Sequence, residues 1–306
     1  MKQSIKILSV NAAPERGRKF PVEQLELNLD GIRGDAHAGT IRQVSLFDKA
    51  EAERFYRITG ADELEPGQFA ENILFETEPE LEVKIFDRFV KDEVVLEVTE
   101  IGKPFHDKFR EPGNYVMPRA GIFCRVTGGG ILRAGDKMQY IPKVFSAEII
   151  TLSDRASRGV YEDKSGPAVA QWLEKQFQKL GWRLNIHHTI IPDDEQKLHE
   201  VLQTSIAQKA DLIITTGGTG IGPRDITPEV MKDYIQKEIP GIMEMIRWKY
   251  GLEKPAALVS RALAGVTGKT LLFALPGSVK AVNEYMAEIN KHLEHLVYML
   301  GAVEKH

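Results

Sequence analysis

One stretch of sequence decides the fold of the carboxyl half: Ile213-Ile214-Thr215-Thr216-Gly217-Gly218-Thr219-Gly220-Ile221-Gly222-Pro223-Arg224-Asp225-Ile226-Thr227-Pro228. It begins as a buried strand, continues as a glycine-rich loop and ends with Thr227 and Pro228, which are typical of a helix N-cap and first helical position. Ligands of open α/β sheets bind beyond the carboxyl ends of the strands. Glycines there let backbone amides approach an anion, and a helix N-terminus favours negative charge. The stretch therefore predicts a phosphate-binding loop.

Two familiar phosphate-binding motifs do not fit this chain. In the dinucleotide fingerprint G-x-G-x-x-G, the third glycine would fall on Pro223. The tripeptide Gly268-Lys269-Thr270 resembles the end of a P-loop, but the first glycine of that motif would fall on Leu263. These mismatches argue against dinucleotide-dependent redox chemistry and against a P-loop NTPase.

The rest of the carboxyl half alternates predicted strands with predicted helices. The strands are expected at 147–152, 184–191, 211–216 and 270–275, and the helices at 167–180, 195–209, 227 onward and 279–300. Such alternation predicts a three-layer α/β domain, with a mostly parallel sheet between helices. The adjacent histidines His187 and His188 fall in a strand, so one is expected on each face of the sheet.

Carboxylate and hydroxyl side chains follow several of these strands. Ser153-Asp154 follows the first strand, Asp193 the second, and Pro276-Gly277-Ser278 a later one. If the strands are parallel, these groups converge on one edge of the sheet. Carboxylates beside a phosphate-binding loop would repel the phosphates unless a divalent cation such as Mg²⁺ intervenes. Ser278 and Lys280 follow a Pro-Gly turn and are candidates for anion binding.

The amino half has a different pattern. Short strand-like segments are expected at 5–10, 43–47, 94–98 and 121–126, with one helix at 47–59 and many glycines between them. This composition predicts a β-barrel-rich domain. The pattern changes near Pro142-Lys143, so we expect one domain over residues 1–143 and another over residues 146–306.

Composition restricts the function classes. The formal net charge of −4 argues against a dedicated nucleic-acid-binding protein, which needs an excess of cations. The single cysteine, Cys124, excludes both an intramolecular disulfide framework and a cysteine-cage zinc site within one chain. The sequence shows no signal-peptide pattern and no apolar run long enough to span a membrane, which predicts a cytoplasmic protein without a membrane partner.

The carboxyl half resembles the molybdopterin adenylyltransferases (the MogA/MoaB family, related to the G domain of gephyrin). The resemblance rests on ordered motifs that cover nearly all of residues 146–306: Leu152-Ser153-Asp154-Arg155-Ala156-Ser157, Gly159-Val160-Tyr161, Asp163-Lys164, Ile191-Pro192-Asp193, Thr215–Gly220, Arg224–Pro228, Ile239-Pro240-Gly241, Leu258–Arg261 and Leu275–Ser278. It implies adenylyl transfer from ATP to molybdopterin, giving adenylylated molybdopterin and pyrophosphate with Mg²⁺ as activator.

The resemblance also assigns residues. It places the family's two catalytic aspartates on Asp193 and Asp225, with Asp193 also the candidate Mg²⁺ ligand. Together with the loop, the strand ends and the Pro-Gly turn described above, the candidates for binding substrate or nucleotide are Ser153, Asp154, Thr216, Gly217, Gly218, Thr219, Gly220, Thr227, Ser260, Pro276, Gly277, Ser278 and Lys280. It further implies a homo-oligomer, trimeric or larger, and contact with other cofactor-assembly proteins.

The amino half resembles the MOSC family, through Gly34–Gly39, Arg42–Leu46, Pro66–Asn72 and Gly121–Val126 through Gly135-Asp136. That family binds molybdenum cofactor or carries sulfur to it, which makes Cys124 and His37 candidate residues. Strand alternation places Cys124 on the same face as Ile122 and Val126, so it is either a buried inert thiol or a thiol activated by Arg125 or Arg119. His37 is either a ligand contact or a polar turn residue.

Two functions remain open on the sequence alone. The first is an enzyme of molybdenum cofactor biosynthesis, with an adenylyltransferase half and a MOSC half that binds cofactor or handles sulfur. The alternative is a non-catalytic protein that binds or carries molybdopterin or molybdenum cofactor. Intact aspartates at Asp193 and Asp225 favour the enzyme.

Overall fold

The computed structural model of the chain describes residues 3–60, 65–77, 81–102, 117 and 119–303. The chain forms two compact units, Met1–Lys143 with Ala302–His306, and Val144–Gly301. The described elements of the first unit are β1 (Ser4–Ala12), β2 (Phe20–Pro21), β3 (Leu25–Asn28), β4 (Gly31–Ile32), β5 (Val44–Asp48), α1 (Lys49–Thr59), β6 (Ile73–Thr77), β7 (Arg88–Lys91), β8 (Val94–Ile101), β9 (Ile122–Gly128), β10 (Gly130–Leu132) and β11 (Lys137–Ile141).

Seven of these strands close into a barrel. They follow the order β11-β7-β8-β9-β5-β6-β1, and pairing of β11 with β1 completes the ring. Closure removes the unpaired edges that an open sheet would expose. The inward side chains, among them Ile7, Leu46, Leu96 and Met138, are fully buried. The prediction of a barrel-rich amino half is therefore confirmed at the level of architecture.

The second unit contains a six-stranded sheet. Its elements are β12 (Val144–Leu152), α2 (Asp154–Ser157), α3 (Ser165–Leu180), β13 (Arg183–Ile191), α4 (Glu195–Ala207), β14 (Leu212–Thr216), α5 (Thr227–Lys232), β15 (Lys237–Glu238), α6 (Pro240–Gly251), a 3₁₀ helix (Pro255–Val259), β16 (Leu263–Thr267), β17 (Thr270–Leu275) and α7 (Val279–Gly301). The sheet order is β13-β12-β14-β17-β16-β15.

Strand direction in this sheet places the predicted site residues. β12 pairs in parallel with both β13 and β14, and β14 pairs in parallel with β17. β16 is antiparallel to both of its neighbours, β17 and β15. The carboxyl ends of β12, β13, β14 and β17 therefore lie at one edge, as the sequence predicts. Helices α4 and α5 cover one face through a core that includes Leu198, Leu202 and Met231.

Two local predictions need correction. The helix expected to open at Pro167 begins two residues earlier, at Ser165, because Asp163 accepts hydrogen bonds from the amides of Ser165 and Gly166. Thr227 is not the N-cap of α5 but its first residue. Its hydroxyl donates instead to the carbonyl of Gly217, at 2.8 Å.

Candidate functional site

The carboxyl ends of four parallel strands bring the predicted loops together. The amide of Gly217, just after β14, donates to the carbonyl of Leu275 at the end of β17, at 3.0 Å. A Cβ on Gly277 would lie only 3.1 Å from Cα of Gly217, so the Pro-Gly turn and the glycine loop are in close contact. The structure therefore brings together the loops that follow β14 and β17.

Two aspartates join the ends of β12 and β13. The amide of Asp154 donates to Oδ2 of Asp193 at 3.1 Å, and the amide of Asp193 lies 3.3 Å from Oδ1 of Asp154. Ser153, beside them, caps α2 by accepting from the amide of Ala156 at 3.2 Å. Ser153, Asp154 and Asp193 thus form one local cluster.

Arg224 connects this aspartate cluster with the glycine loop. Its guanidinium Nη2 lies 2.6 Å from Oδ2 of Asp154 and 3.2 Å from the carbonyl of Asp193. Arg224 immediately precedes Asp225, whose carboxylate accepts from the amide of Gly222 at 2.8 Å. The loop carrying Asp225 is therefore tied directly to the residues around Asp193.

The glycines of the loop are required by close contacts. Gly217 has a φ of +100°, and a Cβ there would lie 2.3 Å from the carbonyl oxygen of Leu152. A Cβ on Gly220 would lie 2.6 Å from Oδ2 of Asp225. Any side chain at either position would displace a strand end or the catalytic candidate itself. The loop therefore follows a path that only glycine allows.

Arg261 holds the far side of the loop. Its Nε donates to the carbonyl of Gly220 and its Nη2 to the carbonyl of Asp225, both at 2.6 Å. Its Nη1 also pairs with Glu229 on α5. Arg261 thus holds two carbonyls of the loop, and a glycine-rich turn of this kind suits anion binding through its amides.

The other predicted binding residues differ in their surroundings. Thr216 and Thr219 are buried. Ser260 accepts from the hydroxyl of Tyr285 at 3.1 Å, and burial raises the pKa of that tyrosine although the bond to Ser260 lowers it. Ser278 caps α7 by accepting from the amide of Ala281 at 3.2 Å, and Lys280 is exposed on the first turn of the same helix.

The amino unit contains a separate cluster of charges around His37. Nδ1 of His37 lies 3.3 Å from Oδ1 of Asp35, and Oδ2 of Asp35 accepts from Nζ of the fully buried Lys19 at 2.5 Å. Asn72 donates to the same oxygen at 2.9 Å. Burial opposes ionisation of Asp35, but hydrogen bonds from His37 and Lys19 outweigh it and lower the pKa of Asp35. His37 therefore lies in a turn and contacts the buried Asp35–Lys19 pair, and its role as a ligand contact stays a prediction.

Cys124 has the environment of an inert thiol. It is fully buried in the barrel core with Ile122 and Val126, as strand alternation predicts. Burial raises the pKa of the thiol, and the charge of Glu97 adds to that effect. Arg125, one of the cations considered for activating it, pairs with Glu97 instead, at 2.5 Å.

Sequence reasoning missed several residues of both sites. Arg224 and Arg261 were visible within the motifs, but nothing in their spacing shows which carbonyl or carboxylate each would bind. Lys19 is a single lysine in a loop, and its burial depends on non-local contacts with Asp35. Within the part of the chain that the structure describes, no three His, Cys, Asp or Glu side chains form a metal-binding group, and no helix is both long and apolar enough to cross a membrane.

Comparison with known proteins identifies the second unit. Residues 148–295 match the family described as "Probable molybdopterin binding domain". The molybdopterin adenylyltransferase of Helicobacter pylori (strain J99) is 35% identical over 153 residues, which cover 50% of this chain and 85% of that protein. The Mog protein of Mycobacterium ulcerans, a solved structure described under molybdopterin biosynthesis, is 37% identical and covers 51% of this chain and 99% of that one, with a TM-score of 0.47.

A longer relative matches over a smaller share of its length. Gephyrin of Dictyostelium discoideum is 34% identical over 163 residues, which are 51% of this chain but 23% of gephyrin. The match to the bacterial adenylyltransferase, by contrast, extends over most of that protein. Through its carboxyl unit, the chain therefore belongs to the MogA/MoaB-like family of molybdopterin-binding domains, in which bacterial molybdopterin adenylyltransferases are found.

Proposed function

We propose that the carboxyl unit transfers the adenylyl group of ATP to molybdopterin and releases pyrophosphate. The observation that carries the proposal is the arrangement around Arg224, which ties Asp154 and Asp193 to the loop that bears Asp225. Three acidic residues thereby lie around one glycine-rich loop at the carboxyl edge of the sheet. Relatives named molybdopterin adenylyltransferase support the same reaction.

In this reaction an oxygen of the pterin's terminal phosphate attacks the α-phosphorus of ATP. A new P–O bond forms there, while the bond from the α-phosphorus to the bridging oxygen breaks and pyrophosphate leaves. The reaction needs alignment and charge stabilisation more than covalent catalysis. We assign the pterin phosphate to the amides of Gly218, Thr219 and Gly220. Asp225 keeps the loop in shape through the amide of Gly222.

Asp193 is the candidate ligand of a magnesium ion that enters with the nucleotide. Mg²⁺ in phosphoryl-transfer sites is usually held by one or two carboxylates together with substrate phosphates. The neighbouring Asp154 already has partners at both carboxylate oxygens, the amide of Asp193 and the guanidinium of Arg224. When bound, the ion would neutralise charge on the phosphates and on the departing pyrophosphate. Asp193 would also orient the nucleotide at the end of β13.

Pyrophosphate release tests this proposal. Purified protein with molybdopterin and MgATP should release pyrophosphate, and Asp193→Ala and Asp225→Ala should each reduce the rate strongly. Unchanged rates in both variants would contradict the assignment. Pterin binding without pyrophosphate release in the wild type would identify the chain as a carrier of molybdopterin instead.

For the barrel we propose binding of a molybdenum cofactor, as its resemblance to MOSC domains suggests, with His37 as a contact. The buried support of His37 by Asp35 and Lys19 favours a binding role, whereas the burial of Cys124 disfavours sulfur transfer by that thiol. Iodoacetamide should leave Cys124 unmodified in the folded protein and alkylate it in urea. Rapid alkylation of the folded protein would instead support sulfur transfer by Cys124.

Self-association is also part of the proposal. Exposed apolar side chains lie on α6, at its C-cap and on the 3₁₀ helix that packs against it, namely Trp248, Leu252, Leu258 and Val259. Apolar groups grouped in this way are typical of protein interfaces. Sedimentation should show a homo-oligomer, and Trp248→Glu should shift it toward the monomer.

A further inference from the structure

A buried hydrogen-bond network lies beneath the glycine loop. Asp163, in the loop before α3, accepts from the hydroxyl of Thr151 at 2.7 Å and from the hydroxyl of Ser165 at 2.8 Å. The Ser165 hydroxyl lies 2.9 Å from Oγ1 of Thr216, the last residue before the loop. Nε2 of His188 lies 3.1 Å from Oδ2 of Asp163. One carboxylate thus contacts groups from β12, β13 and α3, and it is linked to β14 through Ser165.

Each hydrogen bond to Asp163 in this network has a defined donor and acceptor. Burial opposes ionisation of Asp163, but hydrogen bonds from Thr151 and Ser165 outweigh it and lower the pKa of Asp163. An ionised carboxylate only accepts, so Thr151 and Ser165 both donate to it. Because the protons of Ser165 and Thr151 are both used in these bonds, the Thr216 hydroxyl donates to Oγ of Ser165, at 2.9 Å, or to Oγ1 of Thr151, at 3.4 Å. By either route the chain of donors runs from Thr216 to Asp163.

The backbone of α3 packs tightly against this network at Gly166. A Cβ on Gly166 would lie 2.2 Å from Nε2 of His188 and 2.7 Å from Oδ2 of Asp163. The amide of Gly166 also donates to that oxygen, at 3.1 Å. The first turn of α3 is therefore pressed against Asp163. Because Asp163 contacts His188 of β13 and is linked through Ser165 to Thr216 of β14, it holds these two strands in place relative to each other.

A second cluster, also made of a carboxylate, a threonine and a histidine, lies on the other face of β12 and β13 and provides a natural control. Glu148 accepts from the hydroxyl of Thr189 at 2.9 Å, and its Oε2 lies 2.7 Å from Nδ1 of His187. These three residues line a cavity of about 430 Å³ beside α4. Within the residues that the structure describes, the hydrogen bonds of these three side chains join only one another and do not lead to the glycine loop.

We propose that Asp163 is a positioning residue for the candidate site: by orienting Ser165 and Thr216 it fixes the first peptide of the glycine loop. The inference that this matters for the pterin rests on the proposed function, because that function assigns the pterin phosphate to the amides after Thr216. Asp163 acts through the loop and does not itself touch a substrate. The Glu148 cluster performs no such task.

Paired substitutions test the proposal. Asp163→Asn and Thr151→Val remove an acceptor and a donor of the network, and Glu148→Gln and Thr189→Val make the same changes in the second cluster. Hydrogen exchange of the Gly217 amide, which donates to the carbonyl of Leu275, should become about tenfold faster in the first pair and stay unchanged in the second. Thr151→Ser, which keeps the hydroxyl, should restore slow exchange.

Kinetics adds a measurement that a loss of protein stability alone would not change. Displacing the loop should raise the KM for molybdopterin about tenfold while leaving the KM for ATP near the wild-type value, because misplacement of a binding group weakens its own ligand. The measurements are made well below the melting temperature of each variant, and Thr151→Val decides the matter if Asp163→Asn does not fold.

Two results would overturn the positioning role. One is equal loop exchange in Asp163→Asn, Thr151→Val and the wild type. The other is an equal effect of Asp163→Asn and Glu148→Gln on both exchange and KM. If the wild-type protein releases no pyrophosphate, the proposed function fails, yet the exchange rates still decide whether Asp163 fixes the loop.

Discussion

The charged cluster around Lys19 in the barrel unit and the one around Asp193 in the α/β unit are built in opposite ways. In the barrel, Lys19, Asp35 and Glu71 lie inside the fold, and Lys19 and Glu71 are fully buried. In the α/β unit, Asp154, Asp193 and Asp225 lie in the segments that follow β12, β13 and β14, where their partners are backbone amides and the exposed Arg224. Buried charge must be matched within the protein, whereas charge at a strand end is available to a ligand. The first arrangement supports structure and the second supports chemistry.

The largest effect is expected from breaking the buried pair. Lys19→Met should destabilise the barrel by about 3–5 kcal/mol, because it leaves Asp35 buried without its cation. Lys6→Met is the matched control, since Lys6 and Glu76 form an exposed pair, worth about 1 kcal/mol or less.

Amide exchange of the barrel strands measures this difference. Tryptophan fluorescence would not, because Trp172, Trp182 and Trp248 all belong to the other unit. Equal destabilisation by the two substitutions would show that burial of the pair carries no special cost.

The next effect is a pH dependence confined to the barrel. Burial raises the pKa of Glu71 from 4.5 to about 7, although backbone amides and Lys19 lower it in part. The folded barrel therefore holds this proton more tightly than the unfolded chain does. This contribution to stability is fully present below pH 4.5 and is lost as the pH rises through 7, by about 3 kcal/mol in total.

Glu71→Gln should flatten this dependence. Barrel amide exchange at pH 5 and pH 8 measures the change, and the α/β unit provides an internal reference. An unaltered pH profile in Glu71→Gln would assign the titration to another group.

Neighbouring aspartates sharpen the contrast at the strand ends. Asp193→Asn should lower kcat for pyrophosphate release about 100-fold, as expected for loss of a group that stabilises charge in the transition state. Asp194→Asn should change kcat less than about twofold, because Asp194 caps α4 and asparagine caps equally well. Steady-state kinetics on both variants decides, and a similar loss in each would locate the effect in α4 rather than in the site.

A smaller effect is expected from crowding the loop. Gly217→Ala should cost about 1–3 kcal/mol of stability in the α/β unit and lower kcat/KM, since the methyl group would meet the carbonyl of Leu152. Gly268→Ala also places alanine at a positive φ, of +56°, but in open space. It should show a smaller loss of stability and normal kinetics. Tryptophan fluorescence in urea and initial rates separate the two variants.

More of the secondary structure of the α/β unit than of the barrel could be predicted from the sequence. The strand expected at 270–275 is β17 itself, and the glycine loop was correctly placed between β14 and α5. Those features depend on local apolar runs and on glycine or proline at their ends. Helix α6 and the antiparallel strand β16 were not predicted, because neither has an apolar run as clear as those of β14 or β17.

Long-range contacts explain most of what was missed. Closure of the barrel depends on the pairing of Ile5 with Met138, and no local sequence pattern predicts that pairing. The assignment of Thr227 as an N-cap was wrong because its hydroxyl is used by Gly217, ten residues away. The networks around Asp163 and Lys19 likewise join residues distant in sequence. The sequence shows which residue types lie at the strand ends, but it does not show which residues they contact.

The account depends most on the claim that the glycine loop, Asp193 and Asp225 receive the pterin phosphate and the nucleotide together. A crystal structure with molybdopterin, Mg²⁺ and a non-hydrolysable ATP analogue tests it most directly. We expect the pterin phosphate to accept hydrogen bonds from the amides of residues 218–220, with the nucleotide phosphates beside Asp193. Both ligands bound elsewhere, with the loop amides facing only solvent, would contradict the account.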